Sequence, residues 1–207
     1  MPVWVSTTES EMGLFTTDCT NSECNVPYKY SMDVSNSEEI VMQEYGSDTT
    51  DIFNGQSLIY TKFTGKIVKD TVRIQYDEIY SQETRTIFLA IEDTTKFISS
   101  DYSGYVGLGP YSADSDNKSF NFLYQLKKNG YIDYMAFSLY TREDINGTKS
   151  STIKFGGYDE KGLAANERLT VLRTINEKSW ALEGQHIVIG ERLLRTTGSY
   201  RNTIIEP

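Results

Sequence analysis

Ser100-Asp101-Tyr102-Ser103-Gly104-Tyr105-Val106-Gly107-Leu108-Gly109-Pro110 places three glycines within six residues. A dinucleotide fingerprint needs G-x-G-x-x-G between a strand and a helix, so that backbone N–H groups at the helix start face the pyrophosphate. Here the order is reversed, G-x-x-G-x-G, and no Lys-Ser or Lys-Thr pair follows as a phosphate-binding loop requires. The stretch reads instead as a tight β-strand whose missing side chains let another backbone come close.

The 207 residues suffice for one large domain or two small ones with a buried core. A net charge of −9 and a pI near 4.7 argue against nucleic acid, whose binders gather Lys and Arg on one face to neutralise phosphates. An acidic surface suits solubility and an acidic compartment, where protonated carboxylates repel one another less. Lys, Asp, Glu or Asn interrupts every apolar stretch, so no membrane span is expected. Met1-Pro2-Val3-Trp4-Val5 has neither the basic nor the apolar region of a signal peptide, so the targeting segment of an exported protein would lie outside these residues.

Cys19 and Cys24 are spaced C-x-x-x-x-C. Redox and zinc sites favour C-x-x-C, and one such pair with a single distant His cannot complete four zinc ligands, so neither metal nor cofactor is expected. Spacing alone leaves a small disulfide and two free thiols both open. Sequons at Asn117 and Asn146 fall in polar loops and are glycosylation candidates for an exported chain.

Aromatics make up 13% of the chain, with 15 Tyr, and this composition favours strands. Val72, Ile74 and Tyr76 share one face of a strand, and Ile87, Leu89 and Ile91 share one face of the next. Residues 57–63, 105–108, 135–141, 151–155, 169–174 and 180–189 are further strand candidates, separated by turn pairs such as Asn54-Gly55 and Gly156-Gly157. Phe120, Leu123 and Leu126 predict one helix from Ser119, closing on Lys127-Lys128 before Gly130. The fold class is mainly β with one or two short helices.

His186 alternates with Ile187 and Val188 as an outward strand residue would, and no G-x-S-x-G elbow supplies a serine for a triad. The 29 carboxylates leave an Asp/Glu mechanism as the enzymatic option, which glycosidases and aspartic peptidases both use.

Order and spacing choose between them. Trp4-Val5-Ser6 is followed by Cys19 to Cys24, then Gly65-Lys66-Ile67-Val68-Lys69-Asp70-Thr71-Val72 and the glycine strand. Next come Phe122-Leu123-Tyr124-Gln125-Leu126, Gly130-Tyr131-Ile132, Phe137-Ser138-Leu139-Tyr140, Phe155-Gly156-Gly157-Tyr158-Asp159 and Trp180. Taken together, the chain resembles the pepsin-like aspartic endopeptidases. Their pattern runs D-T-G-S-x-x-x-W-V-P, C-x-x-x-x-C, Y-G-T-G-S, D-G-I-x-G-L-G, a helix, F-S-x-Y and F-G-G-x-D. Each motif is weak alone; their order over nearly the whole chain is specific.

The resemblance implies an incomplete pepsin-like fold. Residues 1–145 would form most of the N-terminal lobe without its first strands, and residues 146–207 the connecting sheet and the truncated beginning of the C-terminal lobe. It also implies two Asp carboxylates, one per lobe, that share a proton around a water and hydrolyse an extended peptide or protein substrate. Tyr60 and Trp4 would line the flap and cleft, Cys19 and Cys24 would pair, and Ser103, Gly104, Gly107 and Gly109 would run close beneath the active-site floor. Ser103 stands where the family has Asp. The other half of the cleft would come from the missing C-terminal lobe. The location implied is extracellular, lysosomal or vacuolar.

The departures concern catalysis. The first Asp should precede Trp4 by seven residues, which falls before Met1, and Glu206-Pro207 stands where the second Asp-Thr is expected. A Glu carboxylate reaches one methylene further, and misplacement by about 1 Å can cost on the order of a hundredfold in rate. Tyr60-Thr61-Lys62-Phe63-Thr64-Gly65 lacks the family's mobile flap glycine. No catalytic residue is intact, so three readings follow: a fragment of a longer peptidase first, a pseudoprotease that kept its cleft for binding second, and a carbohydrate-binding β-sandwich third.

Overall fold

The computed structural model describes residues 1–36, 38–48, 62–75, 81–94, 101–111, 116–143, 149–163, 168–177, 179–183, 187–189, 192–194 and 202–204. At its centre is a six-stranded sheet of β1 (Trp4–Ser6), β2 (Met12–Phe15), β3 (Glu39–Asp48), β4 (Lys62–Gln75), β5 (Ser81–Thr94) and β6 (Gly104–Gly107). Their order across the sheet is β1-β6-β2-β5-β4-β3. Strand β6 runs parallel to β1 and antiparallel to β2. Consecutive strands β1 and β2 are thus held apart by β6, and residues 7–11 must cross over its C-terminal end to join them.

The alternation of Ile87, Leu89 and Ile91 captures only half of β5. Phe88 and Ala90 are buried with Met12, Leu14, Val68 and Leu108 beneath helix α1 (Phe122–Lys128). Leu89 and Ile91 are buried on the opposite side with Phe15, Ile67, Tyr105 and the Cys19–Cys24 disulfide. A central strand covered on both faces is apolar at successive positions, which masks the period of two.

The helix begins later than Ser119 suggests. Asp116–Phe120 is a 3-10 turn, and α1 starts only after Asn121, whose Oδ1 accepts the Tyr124 N–H at 2.9 Å as an N-cap. Gly130, with φ of 77°, follows the helix end in the left-handed region. On the buried face of α1, Gln125 Oε1 accepts the Ile87 N–H at 2.5 Å while its Nε2 donates to the Ile87 carbonyl at 2.8 Å. The β2–β5 pairing begins at Leu89, so this amide stands in for a strand partner at Ile87. Gln125→Leu would leave both backbone groups unsatisfied and should cost about 2 kcal/mol or more, read as a lower urea midpoint at unchanged slope.

The chain continues in β7 (Phe137–Glu143) paired antiparallel with β8 (Lys149–Phe155), then β9 (Ala181–Glu183) with β12 (Asn202–Ile204), and β10 (Ile187–Ile189) with β11 (Arg192–Leu194). Edge-to-face contact of Phe155 with Phe122 packs the β7–β8 hairpin on α1. Two strand expectations change here. Residues 169–174 are not assigned to a strand, because no neighbouring strand pairs with them among the described residues, and the described residues of 180–189 contribute β9 and β10, which pair with different strands. The described residues are mainly β with one α-helix among them, consistent with a partial pepsin-like fold. No helix among the described residues is long and apolar enough to cross a membrane.

Candidate active site

Crossing the end of β6 brings residues 7–11 onto the glycine strand. Leu108 N–H donates to the Ser6 carbonyl at 2.7 Å, Gly109 N–H to Glu9 at 2.6 Å and Gly107 N–H to Glu11 at 2.9 Å. A Cβ on Gly107 would lie 2.3 Å from the Glu11 carbonyl oxygen and 2.5 Å from that of Glu9, so backbone fills the space a side chain would need. At the other end of β6, Gly104 has φ of 152°, and a Cβ there would lie 2.1 Å from the Gly13 carbonyl oxygen.

The side chains of this crossing turn bond mainly to one another. Ser6 Oγ donates to Glu9 Oε2, and Thr8 Oγ1 donates to the same oxygen at 2.5 Å. The Thr8 and Glu9 N–H groups each reach Ser6 Oγ at 3.3 Å. Glu9 is 7% exposed, and its Oε1 has no hydrogen-bond partner among the described residues. Glu11 accepts from the Tyr105 hydroxyl at 3.3 Å and from Ser10 Oγ at 3.1 Å. From below, Phe122 N–H donates to the Ser10 carbonyl, Asn121 Nδ2 to Gly109 and Trp180 Nε1 to Leu108. Residues 6–11 therefore offer two carboxylates and four hydroxyls. Among the described residues no three His, Cys, Asp or Glu side chains gather as metal ligands.

Burial, reinforced by the charge of Glu9, raises the Glu11 pKa above its ordinary value of 4.5. The sign of the linked stability follows. Below that ordinary value Glu11 is protonated folded or unfolded and costs nothing. As pH rises through it the unfolded chain ionises first, so stability falls until the folded carboxyl also ionises. Glu11→Gln should raise the melting temperature at pH 7 and leave it nearly unchanged at pH 3, measured by thermal unfolding at the two values.

Trp4 lies half-buried on β1, its ring 6.2 Å from that of Tyr102 and packed against the disulfide side of the sheet. Ser103 is fully buried; its N–H donates to the Pro2 carbonyl and its carbonyl accepts from Phe15 N–H, while its Oγ has no partner among the described residues. Cys19 and Cys24 form a disulfide that is buried at the end of β2. Asn117 lies in the 3-10 turn before α1. Tyr60, Asn146, His186 and Glu206 lie outside the described residues.

The sequence reading sets the W-V-P motif on Trp4-Val5-Ser6, which the structure places in β1, and singles out none of residues 7–11. One signal was available. Phe15, at the end of β2, precedes Cys19 by four residues, whereas Trp4 precedes it by fifteen.

The sequence profile of eukaryotic aspartyl proteases matches residues 2–204. Procardosin-B of Cynara cardunculus is 24% identical over 151 residues, a stretch covering 71% of this chain and 29% of that protein. The chain thus aligns with under a third of the length of that relative. With the profile spanning nearly every residue and strand content to match, the chain belongs to the eukaryotic aspartyl protease family.

Proposed function

We propose that this protein holds extended peptides in a pepsin-like cleft and does not hydrolyse them by the two-aspartate mechanism. The observation carrying this reading is the turn across β6. It lies on the glycine strand, as the active-site floor of the family does, and Ser6-Thr7-Thr8-Glu9 contains no aspartate. In this register Ser6-Thr7-Thr8-Glu9 takes the place of D-T-G-S, and Phe15 takes the place of the motif tryptophan ahead of the disulfide. The interval from Ser6 to Phe15 is nine residues against seven in the pattern, so the turn is two residues longer. This differs from the count made from Trp4, which puts the aspartate ahead of Met1. What favours the new register is that β2, not β1, leads into the disulfide loop.

Ser6 Oγ accepts two backbone N–H groups and donates to Glu9, so its lone pairs are engaged and it is a poor nucleophile. At the second motif Glu206 replaces Asp. Residues 146–207 begin the second lobe in this reading, and the cleft between lobes takes the peptide. A disulfide fits an exported protein, extracellular or lysosomal.

The test is binding of a library of extended peptides carrying a photoreactive group, with cross-links mapped by mass spectrometry. Intact peptides cross-linked to residues 6–11 are the expected result. No saturable binding, or cross-links confined to surfaces away from this turn, would overturn the reading.

A further inference from the structure

The first and fourth positions of the crossing turn are occupied in reverse. The family pattern places an acid first and a serine fourth, D-T-G-S; this chain places a serine first and an acid fourth, Ser6-Thr7-Thr8-Glu9. The two side chains are bonded to each other, Ser6 Oγ donating to Glu9 Oε2. We propose that the acid and the hydroxyl of the site have exchanged places, so that Glu9 supplies the carboxylate of this lobe and offers its free oxygen to an N–H of a bound peptide. The second half of that statement rests on the peptide-binding reading above; the first does not.

Three features of the turn support the exchange. The N–H groups of Thr8 and Glu9 both point at the side-chain oxygen of residue 6, an arrangement suited to a carboxylate that here serves a hydroxyl. The Glu9 carboxylate has followed the hydroxyl partners: Oε2 takes the donors of Ser6 and Thr8 together. Its other oxygen takes no protein donor among the described residues and, unlike Ser103 Oγ, is not sealed from solvent, so it is an acceptor that a ligand can reach. A peptide N–H would fill it. The charged and titratable groups around it are Glu11 on the same turn and Tyr105 of β6, which donates to Glu11, so nothing cationic competes for that oxygen among the described contacts.

The exchange is tested by a double-mutant cycle in the whole protein with Ser6→Asp, Glu9→Ser and both together, unfolded in urea at pH 7. Ser6→Asp alone sets two carboxylates against each other and should destabilise. Adding Glu9→Ser restores one acid and one hydroxyl in bonding distance, and the pair should be coupled by about tenfold in the folding equilibrium constant. Should Ser6→Asp alone fail to fold, its rescue by Glu9→Ser reads the same coupling. Losses that simply add, or a double variant no better than Ser6→Asp, would overturn the exchange.

The ligand contact is tested by methylating, one at a time, the backbone nitrogens of a peptide that binds. One methylation should weaken binding to the unaltered protein about tenfold and leave binding to Glu9→Ser unchanged. Equal effects on both proteins would remove Glu9 from the peptide contact. Absence of any peptide binding would refute the functional reading while the unfolding cycle still judges the exchange.

Discussion

Gly107→Ala is expected to lower stability by on the order of 3 kcal/mol, because the added methyl meets main chain that cannot move aside. Its Cβ would lie 2.3 Å and 2.5 Å from the carbonyl oxygens of Glu11 and Glu9. Relieving that overlap means lifting the turn from β6, which strains the packing by about 1–3 kcal/mol. It also stretches the Gly107 N–H bond to Glu11 and the Gly109 N–H bond to Glu9, each worth about 1 kcal/mol net. For a domain of this size the melting temperature should fall by roughly 6–12 °C. Gly157→Ala is the matched control: nothing lies within 4 Å of the added atom, and the change should stay within about 0.5 kcal/mol. Equal melting temperatures for both variants would mean that the turn does not rest on the glycine strand.

Phe122→Ala should cost more, about 3–5 kcal/mol, the range for emptying a fully buried aromatic site. Phe122 is 1% exposed and packs in the cluster of Met12, Leu14, Phe88 and Leu126, with the Phe155 ring edge-on at 5.6 Å. Its removal opens a cavity between the sheet, α1 and the β7–β8 hairpin at once. Its N–H also donates to the Ser10 carbonyl, so the helix start is tied to the crossing turn. The loss should appear as a lower urea midpoint. Phe122→Leu, which keeps most of the volume, should recover the larger part of it.

The glycine strand was legible because three glycines in six residues have few structural uses, and the disulfide followed from the family pattern. The helix was legible from Leu123 and Leu126; its first residue was not, since an N-cap at Asn121 cannot be told from a helical residue without knowing where the chain arrives. Strands β1 and β2 were missed as strands. Each is only three or four residues long, and their partner β6 lies about ninety to a hundred residues on in sequence, so local periodicity carries almost nothing about them. The same distance hides the crossing turn. Its position follows from β6 passing between two consecutive strands, and that is a property of pairing, not of spacing.

Residues 169–174 show the opposite error. Their apolar character suggests a strand, but Val171 is 92% exposed and the segment pairs with no described strand. Hydrophobic pattern reports what a segment is fit to bury; it does not supply the partner. The register proposed above departs from the one counted from Trp4 for a related reason. A tryptophan ahead of two cysteines matches a motif in type, and only the pairing of β1 with β6 shows that the disulfide loop follows another strand.

The most direct test of the account is to incubate the purified protein with a diverse peptide mixture across pH 3 to 7 and to follow every species by mass spectrometry. The register proposed above puts Ser6-Thr7-Thr8-Glu9 in the place of the first catalytic motif, and on that proposal the peptides should be recovered whole, including those that bind. Cleavage at reproducible bonds that disappears when Glu206 is changed to Gln would contradict it, since a working carboxylate pair would then exist.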